Sequence, residues 1–184
     1  MTLAPTPGQT VGPFYGYALP YAGSNELVPP GRPEAIRLHG TVRDGHGEPV
    51  PDALLEIWQA DERGRVSREP GSLHRDGFTF TGWGRASTDR TGEYSFTTVV
   101  PGPTGDAAPF FAVTVFARGL LNRLFTRAYV PDHSLLASDR LLASLPADRR
   151  ASLVASRDAS GLVFDVHLQG EHETVFLTYP GHDG

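Results

Sequence analysis

The chain carries 7 histidines, 6 tyrosines and 21 acidic residues, but no cysteine, and all 16 of its basic residues are arginine. Thiol nucleophiles, zinc–thiolate sites, iron–sulfur clusters and disulfides are thereby excluded, as are Schiff-base lysines and a phosphate-loop lysine. Metal binding or acid–base work falls to His, Asp, Glu and Tyr. The histidines do not show metal-ligand spacing. His39 and His167 fall at outward positions of strand-like runs, beside Arg37 and Asp165, where a solvated surface is expected, and His46, His133 and His182 fall in loops or the tail. His167 and His172 flank Gln169-Gly170 and could approach across a hairpin near Glu171 or Glu173, with no ligand spacing to mark a metal centre. A Gly-x-Ser-x-Gly elbow is missing, and Gly82-Trp83-Gly84 lacks both the third glycine and the strand–helix setting of a dinucleotide loop.

The elements that would hold such residues read as β-structure. The chain has 184 residues, of which 21 are Gly and 16 Pro, placed as punctuation between short apolar runs. Residues 36–43 alternate, with Ile36, Leu38 and Val42 on one face and Arg37, His39, Thr41 and Arg43 on the other. Further strands are expected at 53–59, 93–99, 110–117, 123–130, 162–168 and 173–179. Turn signals separate most of them, among them Asp44-Gly45-His46-Gly47, Asp61-Glu62-Arg63-Gly64 and Asp89-Arg90-Thr91-Gly92. Strands of this number and spacing predict an all-β, two-sheet sandwich. Residues 65–77 read as a polar loop. Residues 137–157 predict one or two short helices, with Pro146 near the start of the second.

Two units follow: an extended N-terminal arm over 1–34 and a sandwich domain over 35–184. Trp58, Tyr94, Phe96, Phe111, Phe116, Phe164 and Phe176 lie in strand patterns and are assigned to the core. Phe14, Tyr15, Tyr17 and Tyr21 cluster in the arm, which has no core of its own and must pack on its own sandwich or on a neighbouring subunit. The formal charge of −5 comes without a basic stripe, which argues against a nucleic-acid partner. No apolar run reaches the roughly 18 residues of a membrane span. The opening MTLAPTPGQTVG resembles no secretory leader, and the expectation is a cytoplasmic protein.

Several stretches together are specific. They are Gln9-Thr10-Val11-Gly12-Pro13-Phe14-Tyr15 in the arm, LHGTVRDGHGEPVPDALLEIWQAD over 38–61, GWGRASTDRTGEYSFTTVVPG over 82–102, FARGLLNRLFTRAYVPD over 116–132 and GLVFDVHLQGEHETVFL over 161–177. With them, nearly the whole chain resembles the intradiol aromatic-ring dioxygenases, in particular the alpha chain of a two-chain member. The resemblance implies a prealbumin-like sandwich and an alpha–beta hetero-oligomer. The homologous beta chain would bind the ferric, non-haem iron through two tyrosines and an H-x-H pair on one strand. The implied activity is opening of protocatechuate with O2 between its hydroxylated carbons, giving 3-carboxy-cis,cis-muconate.

This sequence departs from that ligand set. Its 65–77 loop contains no tyrosine, the position after Pro101-Gly102-Pro103 is Thr104, and the H-x-H pair reads Phe110-x-Ala112. The resemblance therefore implies a chain that does not bind iron and has no catalytic residue of its own. Thr10, Gly12, Pro13 and Arg118 would line the substrate pocket beside the partner's iron. Two roles stay open for Arg118, substrate contact or a salt bridge at the subunit interface. The 38–102 stretch taken alone also resembles prealbumin-like adhesion modules, which leaves a non-enzymatic interaction module as the alternative.

Overall fold

A computed structural model describes residues 10–12, 14–69 and 75–179. Among the described residues, nine strands form two facing sheets: β1 (Ile36–Arg43), β2 (Leu54–Trp58), β3 (Trp83–Ser87), β4 (Glu93–Thr98), β5 (Phe110–Phe116), β6 (Leu124–Tyr129), β7 (Ser156–Arg157), β8 (Gly161–Val163) and β9 (Val166–His167). One sheet runs β4-β1-β8-β7, with β9 also paired to β1; the other runs β3-β2-β5-β6. The core lies between them. Alternate residues of β1 (Leu38, Val42), β2 (Leu55, Ile57), β4 (Tyr94, Phe96) and β5 (Phe111, Val113, Val115) point into it.

Trp58 and Phe116 are corrections to the expected core; Phe116 lies half-buried on the face of β5 that carries Phe110 and Ala112, outside the core. Period-2 alternation sends Ile57 inward and its neighbour outward, and Trp58 is 49% exposed on the far face of its sheet. The strand β3 has no signal of its own in the sequence, since Gly84, Ala86 and Ser87 are poor strand formers; its pairing with β2, Trp58 opposite Trp83, makes it a strand.

The run 162–168 is two strands. β8 and β9 pair in parallel with β1 in one register, but between them the Phe164 carbonyl turns in over Gly40, where a Cβ would lie 2.1 Å from its oxygen. That carbonyl accepts the buried Tyr94 hydroxyl, and Asp165 Oδ1 accepts Thr41 N–H at 2.8 Å, so side chains replace the ladder at the break. The run 173–179 is not a strand either. Its backbone is met piecemeal: Ser152 Oγ accepts Val175 N–H, Thr126 Oγ1 donates to the Val175 carbonyl, and only Leu177 forms a bridge, to Phe125.

Helical structure falls between β6 and β7: a 3-10 turn (Ser134–Ala137), α2 (Arg140–Ala143) and α3 (Ala147–Ala151), the last with Pro146 at its N-cap. They cover the outer face of the β5–β6 sheet around Tyr129, Leu142 and Leu153. The described part of the arm includes a one-turn helix, α1 (Tyr15–Ala18). Farther along, residues 24–28 close the sandwich edge: Arg85 N–H donates to Ser24 O, Thr97 N–H to Asn25 O and Leu27 N–H to Thr97 O, while Leu27 and Val28 are both buried. This stretch belongs to the core rather than lying on it.

Candidate substrate-binding cleft

The arm at Thr10 and the turn that carries Arg118, 108 positions on in the chain, meet at one end of the sandwich. β5 ends at Phe116, and the chain turns through Gly119, whose φ of 90° is a conformation glycine adopts without penalty. The turn's Gly119 N–H donates to Thr10 Oγ1 at 2.7 Å. Gly12 O accepts the N–H of Tyr15 at 3.4 Å as the arm enters α1. Pro13 lies outside the described residues. Val11 and the turn residues Phe116, Leu120, Leu121, Asn122 and Arg123 line a cleft of about 180 Å³.

Two residues that sequence reasoning did not assign to the site organise this corner. Tyr15 is buried, and its hydroxyl donates to the main-chain oxygen of Asp52 and lies 3.3 Å from that of Phe116. Burial, reinforced by the Asp52 carboxylate and partly offset by Arg118, pushes the phenol up to about 12, so it remains a neutral donor at physiological pH. Asp52, in the turn before β2, accepts the Arg118 Nε–H on Oδ2. The Arg118 side chain is still 58% exposed, and its terminal nitrogens have no protein partner among the described residues. Its ion pair is thus within its own chain. Nothing in the sequence marks this pairing of Asp52, because the turn before a strand and an arginine 66 positions on share no local pattern.

The positions that the resemblance assigns to iron do not fit a ferric ion. Thr104 is exposed, with its hydroxyl 3.5 Å from Gly64 O. Phe110 and Ala112 lie on one face of β5 and offer only a ring and a methyl group. The strand register puts Arg127 beside Ala112 and Tyr129 beside Phe110. The Arg127 guanidinium stands 4.1 Å over the Phe110 ring centroid and donates to the Tyr129 hydroxyl at 3.1 Å, which donates to the buried Asp139 at 3.0 Å. That face therefore carries a covalently attached cation, and its carboxylate, Asp139, is taken up by the Tyr129 hydroxyl and by the N–H groups of Ala108, Leu141 and Leu142.

Other tyrosine and histidine side chains lie away from that face. Tyr94 is buried in the opposite sheet. His39 is bound to Asp158 at 3.0 Å with its side chain 18% exposed, so it is not the solvated group expected. The rings of His167 and His172 do approach, with centroids 6.2 Å apart, beside a cavity of about 390 Å³. Among the described residues, no group of three or more His, Asp or Glu is placed to hold a metal.

With this geometry in view, the comparisons define the class. Residues 12–110 match the family described as Dioxygenase, and the chain belongs to the intradiol dioxygenase family. Within that family it is similar to the protocatechuate 3,4-dioxygenase alpha chain of Burkholderia cepacia, with 40% identity over 195 residues that cover 96% of this chain and 98% of that one. The beta chain from the same organism is 33% identical, over 77% of this chain and 67% of its own. The solved dioxygenase domain of a carbohydrate-binding fusion protein from Streptomyces sp. SirexAA-E superposes with a TM-score of 0.61 at 25% identity, covering 91% of this chain and 99% of that one.

Proposed function

We propose that this chain is the iron-free alpha subunit of a protocatechuate 3,4-dioxygenase, and that it completes the substrate pocket of a homologous beta chain that holds the ferric ion. The observation that carries the reading is the corner itself. An arginine whose terminal nitrogens have no partner among the described residues stands next to Gly119, whose N–H meets Thr10 of the arm, on a chain whose Thr104, Phe110 and Ala112 supply no ligand. Bound by the partner, iron activates the catecholic ring toward O2. This chain binds and orients. The Arg118 fork is complementary to the substrate carboxylate, the Gly12–Pro13 backbone lets a planar ring approach closely, and the arm limits water at the ring.

Co-expression with the candidate beta chain, followed by an assay of O2-dependent loss of protocatechuate, tests the reading. The pair is expected to turn over the substrate, and neither chain alone to match it. Equal activity of the beta chain without this one would overturn the proposal, as would stoichiometric ferric iron in this chain purified alone.

A further inference from the structure

Asp52 holds a place in the corner beside the cleft that the proposed reaction does not explain by itself. It lies in the turn just before β2 and touches both halves of the corner. Its main-chain oxygen receives the Tyr15 hydroxyl from the arm, and its carboxylate takes the Nε–H of Arg118 from the β5–β6 turn. No other acidic side chain pairs with Arg118 among the described residues. The Asp52 side chain is 28% exposed, so solvent screens the pair only in part. A guanidinium is planar and its donors are fixed relative to one another. Fixing Nε therefore orients the two terminal nitrogens, which have no partner among the described residues. Without that contact, an arginine on an exposed turn would sample many rotamers and lose side-chain entropy each time it bound an anion.

We propose that Asp52 is the positioning residue that presents Arg118 to the carboxylate of an aromatic-acid substrate, and so sets the preference for carboxylated over unsubstituted catechols. The assignment rests on the functional reading above. It acts through Arg118 and does not touch substrate. Asp52 also offsets the arginine charge, so the corner favours an anion that matches the fork over any small anion.

The test uses the co-expressed two-chain assembly carrying Asp52→Ala, Asp52→Asn, Arg118→Gln or both Asp52→Ala and Arg118→Gln. Equilibrium binding of protocatechuate and of catechol is measured without O2, and kcat and KM with it. Asp52→Ala is expected to weaken protocatechuate binding at least fivefold more than catechol binding, with the loss in KM rather than kcat. Asp52→Asn, which keeps an acceptor oxygen, should recover part of the discrimination. The double variant should be no worse than Arg118→Gln alone. Equal losses for the two substrates, or additive losses in the double variant, would overturn the assignment. A wild-type pair that binds and cleaves neither substrate would instead overturn the functional reading and remove the assignment's basis.

Discussion

At the scale of single residues, the cleft is a corner built from contacts between segments far apart in the chain. Tyr15 ties the arm to the body through a main-chain oxygen, so Tyr15→Phe should leave the ring packed and remove one hydrogen bond. The expected cost is about 1 kcal/mol in denaturant unfolding, with faster amide exchange over 10–18. In the two-chain assembly, Arg118→Gln should raise KM for protocatechuate about 10-fold or more while kcat changes little, the pattern of a lost binding contact. Thr10, Asp52 and Arg118 all fall in runs the sequence marks as specific, and the proposed roles of Thr10 and Arg118 come from the resemblance; the Asp52–Arg118 pairing is visible only in the fold, which joins positions 66 apart. The outward turn of Trp58 was missed for a simpler reason: an aromatic ring in a strand pattern says nothing by itself about which face it occupies.

At the scale of elements, the turns are the part the sequence describes best. Asp44, Asp61 and Asp89 each begin an Asp-x-x-Gly turn and accept backbone N–H groups two and four residues on, and Gly47, Gly64 and Gly92 take the positive φ that closes it. These bonds hold the Asp44 and Asp61 carboxyls below their ordinary range; at Asp89 the Thr91 hydroxyl acts first and the backbone N–H groups add to it, and at Asp76 the Thr79 hydroxyl, joined by the Thr79 and Phe78 N–H groups, takes the carboxyl down to about 2. A depressed folded-state value means stability that is complete above about pH 4 and lost as pH falls through the folded value. The thermal midpoint should therefore drop between pH 4 and pH 2, and less steeply in Asp89→Asn, which a melting series would show. Strands that needed tertiary context were harder to read. β3 exists through its partner, and the break between β8 and β9 exists because Gly40 admits a carbonyl. Gly40→Ala should cost roughly 3 kcal/mol, the upper end of ordinary overpacking, measured by urea unfolding.

At the scale of the whole molecule, three tyrosines set the alkaline limit. Tyr15 and Tyr129 are pushed up to about 12, chiefly by burial, and Tyr94, with its hydroxyl on the Phe164 carbonyl, is driven higher by the same cause. Each is raised in the folded state. Their contribution is therefore intact below pH 10, the unfolded value, and is lost as pH climbs toward 12. Absorbance at the phenolate band should show these three ionising together with loss of structure rather than before it.

The way residues 24–28 are sewn between β3 and β4 decides where this polypeptide can be cut. Leu27 seats its side chain against Gly84 and Phe96, so a truncation that reaches it would open the hydrophobic interior to water. Shortening that stops before Ser24 removes Thr10, Gly12, Pro13 and Tyr15 and spares the seam. Removal of residues 1–20 should accordingly yield a folded protein that melts a few degrees lower, for the loss of the buried Tyr15 and of the Leu19 carbonyl that Arg85 donates to, and that no longer supports its partner's turnover. The arm's share of the proposed pocket is thus detachable from the scaffold, while Asp52 and Arg118 stay behind.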